Sequence, residues 1–271
     1  MPRSVAHTHT VRNVASAADL LAQAGAQPTS GWDFTWLGPR MQADGVPWDY
    51  PETVARAVGA ASSVLDMGTG GGEFLSALHR FPRRTVATEG WAPNVRVASG
   101  RLTPLGVAVV HDEGAVDNVD QFEQPPRGRL AFRNDAFDLV TNRHEAYHPA
   151  EVLRVLQPGG RFLTQQADSG GADASAALGL EPPRKALFDR RIAVAQLEAV
   201  GFHVRDGASA IETLRFADVG AFAWYLRMIP WTVPDFSIEA HRDALDRLHA
   251  GGEPIVVRGL RFWIEAEKDT R

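Results

Sequence analysis

The fold of this chain is decided by the stretch Ser63-Val64-Leu65-Asp66-Met67-Gly68-Thr69-Gly70-Gly71-Gly72-Glu73. Its first four residues form a short, largely apolar run that predicts a buried strand, because the run is brief and glycines end it. Residues 73–80 continue as a predicted helix with apolar side chains on one face. Four of the five residues 68–72 are glycines, which permit a tight turn and a close backbone approach to a ligand. The stretch therefore predicts a ligand-binding loop at the carboxyl end of a strand.

The same alternation of short strands and helices continues along the chain. Further predicted strands cover residues 85–88, 106–110, 137–141, 161–164, 201–204 and 260–264, and further helices cover 14–24, 92–102, 151–156, 185–200, 218–228 and 238–250. A polar, proline-bearing stretch over 113–130 interrupts the pattern without periodicity. This alternation predicts an α/β fold with a doubly wound, mainly parallel sheet that helices cover on both faces.

Two aromatic segments flank the predicted sheet. Residues 1–50 are expected to form an N-terminal unit, with a helix followed by an aromatic-rich lid over 31–50 that has no regular structure. Residues 51–271 form the main predicted domain, with a helical insertion at about 211–255 before the last strand. We expect both segments to close over the ligand-binding edge as lids that exclude water, with most of their aromatic side chains forming a satellite core.

Composition limits the classes of protein that this chain can represent. The 28 lysines and arginines against 33 aspartates and glutamates give a net charge of −5, whereas proteins with a broad phosphate-binding face are normally basic. The chain has no cysteine, which excludes disulfides, thiolate zinc sites and cysteine nucleophiles. It has neither an apolar run of about 18 residues nor the apolar core of a signal peptide. We therefore expect a soluble cytoplasmic protein with no membrane contact and no nucleic-acid partner.

The charges around the glycine loop discriminate between its possible ligands. The dinucleotide fingerprint Gly-x-Gly-x-x-Gly, counted from Gly68, needs a third glycine at position 73, where this chain has glutamate. A diphosphate would also meet the carboxylates of Asp66 and Glu73 beside the helix N-terminus. S-adenosylmethionine carries an ammonium and a sulfonium and no phosphate, so acidic neighbours attract it. The sequence therefore favours S-adenosylmethionine over a dinucleotide at this loop.

A second carboxylate follows the next predicted strand. Glu89 comes directly after residues 85–88, where a carboxylate can accept both ribose hydroxyls of a nucleoside; as an alternative, it caps the following helix. Trp91 is placed either against the adenine ring or in ordinary packing. Asp112, at the end of the third strand, is expected to accept the adenine amino group. Asp66 and Glu89 on either side of the glycines are a more specific signal than the loop alone.

These segments resemble the motifs of class I S-adenosylmethionine-dependent methyltransferases, and among them the type 11 family. Residues 64–72 are similar to the first motif of that class, and Thr88-Glu89 is similar to its acidic second-strand motif. Residues 130–140 resemble the segment leading into the fourth strand, and residues 151–160 resemble the helix and turn before the fifth. The resemblance to the class is close over residues 54–166. It implies a seven-stranded, Rossmann-like sheet whose last strand runs antiparallel.

The resemblance also implies which residues contact the cofactor. The class binds S-adenosylmethionine over the first three strands of the sheet. Cofactor contacts are accordingly expected from Asp66, Gly68, Thr69, Gly70, Gly72, Glu89, Gly90, Trp91, Asp112, Asn142 and Arg143. No metal site is expected, because the spaced aspartates of metal-dependent methyltransferases are missing from the sequence.

The catalytic candidates lie after the predicted fourth strand, in residues 142–148. Methyl transfer requires an oriented nucleophile, exclusion of water and, for some acceptors, removal of a proton. His144 has the ordinary pKa that suits a general base near neutrality, and Glu145 is expected to orient it or to bind a substrate amine. Asn142 is expected to accept the methionine ammonium or to lie beside the substrate. As an alternative, the segment is a polar loop that caps the next helix.

The expected activity is transfer of a methyl group from S-adenosylmethionine to an oxygen or nitrogen of a small molecule. An RNA-modifying methyltransferase is the alternative within the same class, although the arginines are dispersed rather than clustered. A non-catalytic protein that binds the cofactor for regulation or assembly is an alternative outside it, and a nucleotide-dependent oxidoreductase is another. The sequence leaves the acceptor and the oligomeric state open.

Overall fold

A computed structural model gives the architecture of the chain. It describes residues 15–29, 32–78, 80–116, 118, 129–167, 172–181 and 188–270. Most of the polar stretch predicted over residues 113–130 lies outside the described residues, as does the start of the helix predicted over 185–200.

Eight strands of the described chain form one sheet. They are β1 Met41–Ala43, β2 Ser63–Met67, β3 Arg84–Glu89, β4 Ala108–His111, β5 Phe137–Arg143, β6 Leu156–Ala167, β7 Phe202–Phe216 and β8 Ile255–Lys268. Their order across the sheet is β1-β7-β8-β6-β5-β2-β3-β4. Neighbours from β4 to β6 pair in parallel, and β8 runs antiparallel to both β6 and β7.

The parallel strands and the antiparallel last strand confirm the fold class predicted from the sequence. The sheet has eight strands rather than the expected seven, because Met41–Ala43 pairs with the end of β7 as an edge strand instead of remaining irregular. β7 also continues to Phe216 and β8 begins at Ile255, so the chain leaves the sheet only over residues 217–254. A three-residue edge strand carries too little periodicity to be recognised from sequence.

Helices cover the sheet and build the two flanking segments. They are α1 Ala17–Ala26, α2 Tyr50–Ala60, α3 Glu73–Ser76, α4 Ala92–Leu102, α5 Pro149–Val155, α6 Ala172–Ala177, α7 Arg190–Ala199, α8 Val219–Met228 and α9 Arg242–Gly251. Aspartates at the N-caps of α2, α7 and α8 accept backbone N–H groups of the first turn, which explains where these helices begin. None of the helices in the described residues has the length and apolar character to span a membrane.

Strand alternation divides the apolar side chains between the two faces of the sheet. Along β6, Phe162 packs into the core beneath α5 and α7, whereas Leu163 packs with Tyr50 of α2 on the opposite face. Both β6 side chains are fully buried. The parallel strands are therefore fixed from both sides, and their carboxyl ends form one edge at which functional side chains can gather.

A separate core joins the N-terminal segment to the insertion. Leu37, Phe222 and Trp224 are buried in it, as expected for a satellite core. Beside it, the Arg40 guanidinium donates to both carboxylate oxygens of Asp218, at 2.6 and 2.8 Å. Asp218 also accepts the Ala221 N–H in the first turn of α8. One carboxylate thus caps a helix and fastens residues 35–40 to the insertion.

Replacing Asp218 removes the helix cap and the partner of Arg40 together. We expect Asp218→Ala to lower the free energy of unfolding by about 1–3 kcal/mol, because the ion pair is mostly buried. Burial raises the pKa of the Asp218 carboxyl, but the hydrogen bonds from Arg40 and the helix N-terminus outweigh it and hold the pKa below the ordinary 3.8. The stabilisation is therefore present above that value and lost as the pH falls through the folded pKa.

Urea denaturation of the wild type and the variant measures this loss. The matched control is Asp246→Ala, because Asp246 pairs with Arg242 at 2.9 Å on the exposed side of α9. That exposed pair is expected to contribute less than about 0.5 kcal/mol. A loss at Asp218 no larger than the loss at Asp246 would contradict the role given to Arg40 and Asp218.

Candidate functional site

The glycine loop connects β2 to α3 with three residues in the left-handed region. Gly68, Gly70 and Gly72 have φ angles of 65°, 63° and 79°, which other residues adopt only at a cost. Between them, Thr69 donates its N–H to the Thr88 carbonyl at 2.9 Å, which ties the loop to the end of β3. The loop therefore lies at the carboxyl edge of the parallel strands, where the sequence predicts it.

The Glu89 carboxylate holds the other side of the loop. One oxygen accepts the Gly70 N–H at 2.7 Å and the other accepts the Trp91 N–H at 2.8 Å. The residue is 6% exposed, and burial raises its pKa while these backbone hydrogen bonds act in the opposite direction. Each oxygen keeps a second lone pair, so the carboxylate can still accept hydroxyl groups of a ligand. The Trp91 ring beside it is exposed.

Asp66 lies beneath the glycine loop. It is buried and accepts the Thr141 hydroxyl at 2.7 Å. Burial raises the pKa of Asp66 more than the hydrogen bonds from Thr141 and Thr69 lower it, and the resulting pKa is about 6. Asp66 is therefore mostly ionised at pH 7, which places a negative charge under the loop.

A third acid stands at the end of β4. The Asp112 N–H donates to the Glu89 carbonyl at 3.1 Å, and its carboxylate accepts the Gly114 N–H at 3.0 Å. Gly90 allows the residues after β4 to approach the end of β3 this closely, because a Cβ on Gly90 would lie 3.1 Å from Glu113 Cα. The adjacent strands β2, β3 and β4 thus each carry one acid at the same edge. Their contact with a cofactor stays a prediction.

The Asn142 side chain faces the core instead of the glycine loop. Its Oδ1 accepts the Thr164 hydroxyl at 2.9 Å and the Gln166 amide at 2.6 Å, so both lone pairs are used. In this arrangement the side-chain oxygen has no lone pair left for a ligand ammonium, and the expected place of Asn142 beside the cofactor or the substrate stays a prediction. Alternation along β5 turns Asn142 to the same face as buried Val140. Contact through other atoms of Asn142 stays a prediction.

His144 occupies the turn that follows β5. Its φ of 63° is uncommon for a residue with a side chain, and its N–H donates to the Gln165 carbonyl at 2.9 Å. The side chain is exposed in the cleft. Desolvation by the surrounding protein, with the positive charges of Arg261 and Arg143, lowers its pKa well below 6.5. The imidazole is therefore neutral at pH 7, the form that accepts a proton, although the lowered pKa makes it a weaker base.

The Glu145 side chain leans over the glycine loop. A Cβ built on Gly68 would lie 2.4 Å from Glu145 Cβ and Cγ, and one built on Gly114 would lie 3.2 Å from Glu145 Oε1. The carboxyl group thus spans the crevice between the ends of β2 and β4. Within the described contacts, no hydrogen bond or ion pair joins it to His144. Its expected roles, orienting His144 or binding a substrate amine, stay predictions.

Acidic neighbours and burial change the titration of Glu145. Burial, together with the negative charges of Glu89 and Asp112, raises its pKa to about 7. Near neutral pH the carboxyl is thus present in both its neutral and its ionised form. A cation placed in the crevice would favour the ionised form.

Trp32, which the sequence assigns only to the aromatic lid as a whole, covers the glycine loop. A Cβ on Gly70 would lie 2.0 Å from Trp32 Cδ1, so the indole ring rests directly on that glycine. The ring centroid of Trp32 also lies 5.5 Å from that of Trp231 in the insertion. The two flanking segments therefore meet over the loop. Aromatic composition predicted a lid, but no sequence signal identifies which ring reaches Gly70.

Acidic and basic groups occupy opposite sides of the cleft. The acids lie at the ends of β2, β3 and β4, and Arg143 and Arg261 lie on the β5 and β8 side. Among the residues that the structure describes, no group of three histidine, aspartate or glutamate side chains is arranged to hold a metal ion. The arrangement is suited to a ligand that carries positive charge where it faces the ends of β2, β3 and β4.

Comparison with known proteins agrees with this geometry. Residues 65–164 match the model of a family described as a methyltransferase domain. This part of the chain is thus similar to a methyltransferase domain. Over 111 residues the chain is 32% identical to the uncharacterized methyltransferase YcgJ of Bacillus subtilis (strain 168). That alignment covers 38% of this chain and 40% of YcgJ, so the chain spans less than half the length of the curated relative that it matches.

Solved structures share the fold of the methyltransferase domain. A protein of Bacillus halodurans C-125, provisionally described as a methyltransferase, is 19% identical with a TM-score of 0.55, covering 81% of this chain and 99% of its own. The structure of YcgJ is 18% identical with a TM-score of 0.51, covering 81% of this chain and 98% of its own. At these identities the likeness shows the fold alone.

The contact between Trp32 and Gly70 makes the loop sensitive to one added methyl group. Gly70→Ala combines a positive φ with a clash against the indole ring. We expect it to lower the free energy of unfolding by about 1–3 kcal/mol and to move the Trp32 ring. Urea denaturation measures the first effect, and near-ultraviolet circular dichroism of the aromatic side chains measures the second.

Gly106→Ala is the matched control for this variant. Gly106 has a φ of 81°, but nothing lies within 4 Å of an added Cβ. The control therefore carries the backbone strain, about 1–2 kcal/mol, without the clash, and its aromatic spectrum should match that of the wild type. Identical aromatic spectra for the two variants would contradict the placement of Trp32 on the loop.

Proposed function

We propose that this chain transfers a methyl group from S-adenosylmethionine to an oxygen or nitrogen atom of a small molecule. The observation that carries the proposal is the glycine loop joined to Glu89 through the Gly70 N–H, at the edge of a methyltransferase domain. A ribose offers two vicinal hydroxyl donors, and the Glu89 carboxylate keeps the lone pairs to accept them.

The charges at this edge fit a cationic nucleoside better than a diphosphate. Four carboxyl groups stand here, those of Asp66, Glu89, Asp112 and Glu145. The first turn of α3, where a phosphate would bind, carries Glu73, whose carboxylate lies against Gly71. Glu73 is paired with Arg101, but a diphosphate would be repelled by the four carboxyl groups, whereas an ammonium and a sulfonium would be attracted. This favours S-adenosylmethionine over a nicotinamide dinucleotide.

The chain's own residues have three tasks in the proposed reaction. When bound, S-adenosylmethionine supplies a methyl group on a sulfonium leaving group. Glu89 and the glycine loop hold the ribose, and the Trp32 and Trp231 rings exclude water from the reacting atoms. The neutral His144 imidazole accepts a proton from an acceptor that must lose one. Orientation and exclusion of water are the main contributions of the protein.

The acceptor is proposed to be small. The net charge of −5 supports this, because an RNA substrate requires a basic face for its phosphates. The Trp32 and Trp231 rings meet over the loop, and such a cover favours a small acceptor over a polymer. A chain without cysteine is compatible with the reducing cytoplasm, which we propose as its location.

Removing the Glu89 carboxylate tests the proposed cofactor. We expect Glu89→Ala to weaken binding of S-adenosylhomocysteine by about 1–3 kcal/mol, because charge-assisted hydrogen bonds to the ribose are lost. Glu89→Gln keeps the shape and one acceptor oxygen and should lose less. Isothermal titration calorimetry measures both, and the exposed Glu52→Ala on α2 is the control expected to bind as the wild type does.

The same titration and a turnover screen distinguish the proposed function from two alternatives, an oxidoreductase and a non-catalytic binding protein. Binding of NADH in place of S-adenosylhomocysteine would overturn the proposal in favour of an oxidoreductase. For turnover, the protein is incubated with S-adenosylmethionine and a library of hydroxyl and amine compounds, and release of S-adenosylhomocysteine is measured. Binding without release for any compound would contradict an enzymatic role and support a non-catalytic binding protein.

The raised pKa of Glu145 predicts a proton release on cofactor binding. A cationic ligand in the crevice lowers a carboxyl pKa that stands at about 7, so binding at pH 7 expels a fraction of a proton and affinity rises with pH up to neutrality. Calorimetry in two buffers of different ionisation enthalpy measures the release. The uncharged 5′-methylthioadenosine should release much less.

Glu145→Gln identifies the source of that proton. The variant should abolish most of the release at pH 7, because Asp66, with a pKa of about 6, is already largely ionised there. Equal proton release by the variant and the wild type would assign the effect to another group and contradict the position of Glu145 beside the ligand.

A further inference from the structure

Arg261 of β8 lies on the side of the cleft away from the glycine loop. Strand register places it opposite Ala167, two positions beyond Gln165, whose carbonyl accepts the His144 N–H. Alternation along β8 turns Arg261 away from the core that holds Phe262. Desolvation lowers the pKa of His144, and the charge of Arg261 is close enough to act in the same direction. Arg261 and His144 therefore face one cleft from the two strands that flank β6.

Two partners fix the Arg261 guanidinium. Its Nε donates to the Glu212 carboxylate of β7 at 2.7 Å, and a hydrogen bond joins the guanidinium to the Tyr225 hydroxyl of α8. The Tyr225 ring packs in turn against Phe216, with 5.0 Å between the ring centroids. A guanidinium has five N–H donors, so this arrangement orients the group and leaves further donors for a ligand.

The charges on this side of the cleft do not balance. Arg143, next to His144, is exposed and makes no ion pair or side-chain hydrogen bond within the described residues. Arg143 and Arg261 thus provide two positive charges against the one negative charge of Glu212, and the neutral imidazole adds none. Asp66 acts on Arg143 from beneath the loop, but a cation bound beside Asp66 would offset that carboxylate. An anionic group of the acceptor would complete this side of the cleft.

We propose that the methyl acceptor is a small carboxylic acid whose carboxylate is bound by Arg261, while a separate hydroxyl or amino group of the same molecule faces His144. The inference rests on the proposed function, because it names the substrate class of that site. A planar guanidinium binds a carboxylate through two parallel N–H···O bonds. One excess positive charge matches a carboxylate better than a phosphate monoester, which carries nearly two negative charges at pH 7.

The reacting group of this acid is distinct from its carboxylate. Its oxygen or nitrogen forms the bond to the methyl carbon and gives its proton to the His144 imidazole, while the electron pair of the broken carbon–sulfur bond stays on sulfur. The backbones of β5 and β8 lie about 10 Å apart across β6. This spacing favours acids whose two groups are separated by a ring or a chain over α-amino and α-hydroxy acids.

Matched acceptors test the charge of the substrate. The panel contains hydroxy- and amino-substituted benzoates and cinnamates, each with its neutral amide and with a phosphate monoester that keeps the same reacting group. The full chain is incubated with S-adenosylmethionine, and release of S-adenosylhomocysteine is measured. We expect at least one acid to be methylated with a kcat/KM about 10-fold or more above that of its amide, and above that of the phosphate monoester.

Variants of Arg261 assign this selectivity to one residue. We expect Arg261→Gln to raise KM for the preferred acid about 10- to 100-fold, the usual effect of losing a bidentate charge-assisted contact, and to leave its amide within about 2-fold. Arg261→Lys keeps the charge without the planar fork and should fall between. Because Arg261→Gln leaves Glu212 unpaired, the double variant with Glu212→Gln repeats the test without an uncompensated charge. Arg258→Gln, which removes an exposed guanidinium from the other face of β8, is the control expected to match the wild type.

Calorimetry separates failure of this inference from failure of the proposed function. S-adenosylhomocysteine should bind the wild type and the Arg261 variants within about 2-fold, whereas the preferred acid, titrated into that complex, should bind Arg261→Gln about 10- to 100-fold more weakly. Equal use of acids and amides, or an equal loss for both in Arg261→Gln, would overturn the inference. Binding of S-adenosylhomocysteine without binding or turnover of any acid would overturn it too and leave the cofactor assignment intact. If the wild type does not bind S-adenosylhomocysteine, the proposed function itself fails, and this inference fails with it.

Discussion

The hydrogen bond from the Gly70 N–H to Glu89 is the interaction on which the site depends. It joins a loop with three residues at positive φ to the carboxylate of Glu89, a residue that is 6% exposed. The loop N–H requires an acceptor, and the buried carboxylate requires donors. The loop without this bond would have a free N–H at its tightest point. The buried carboxylate without its backbone donors would lack compensation for its lost hydration. Parallel pairing of β2 with β3 sets the distance between them, so the sheet register itself decides the geometry of the site.

The cover over this loop is built from parts of the chain that are far apart in sequence. The bidentate pair of Arg40 and Asp218 and the satellite core around Trp224 fix the N-terminal segment against the insertion. That packing carries Trp32 onto Gly70 and brings Trp231 beside it. The satellite core thus has two consequences. It stabilises helices that could not bury their apolar faces alone, and it positions the aromatic rings that close the crevice.

Electrostatics divides the cleft into two halves. On the side of the glycine loop, burial raises the pKa of Asp66 to about 6, and burial with the negative charges of Glu89 and Asp112 raises that of Glu145 to about 7. On the other side, desolvation lowers the pKa of His144, and the positive charges of Arg261 and Arg143 lower it in the same direction. Collecting like charges in partly buried positions is unfavourable in the free protein. A ligand that places positive charge beside these acids would relieve this repulsion, which is the physical basis of the proposed function.

The sequence by itself determined the features that depend on local chain chemistry. Alternating short strands and helices predicted the parallel sheet, and the glycines predicted the loop. Asp66 and Glu89 each lie at the end of a predicted strand, which predicted their position beside the loop. Only the tertiary structure decided that Met41–Ala43 joins the sheet, that Asn142 faces the core, that Glu145 leans over Gly68, and that Trp32 rests on Gly70. Periodicity and turn preferences act over a few residues and can therefore be identified from the sequence. The whole fold determines strand register and packing. These in turn determine which way a side chain at a strand end points and which distant segments are in contact.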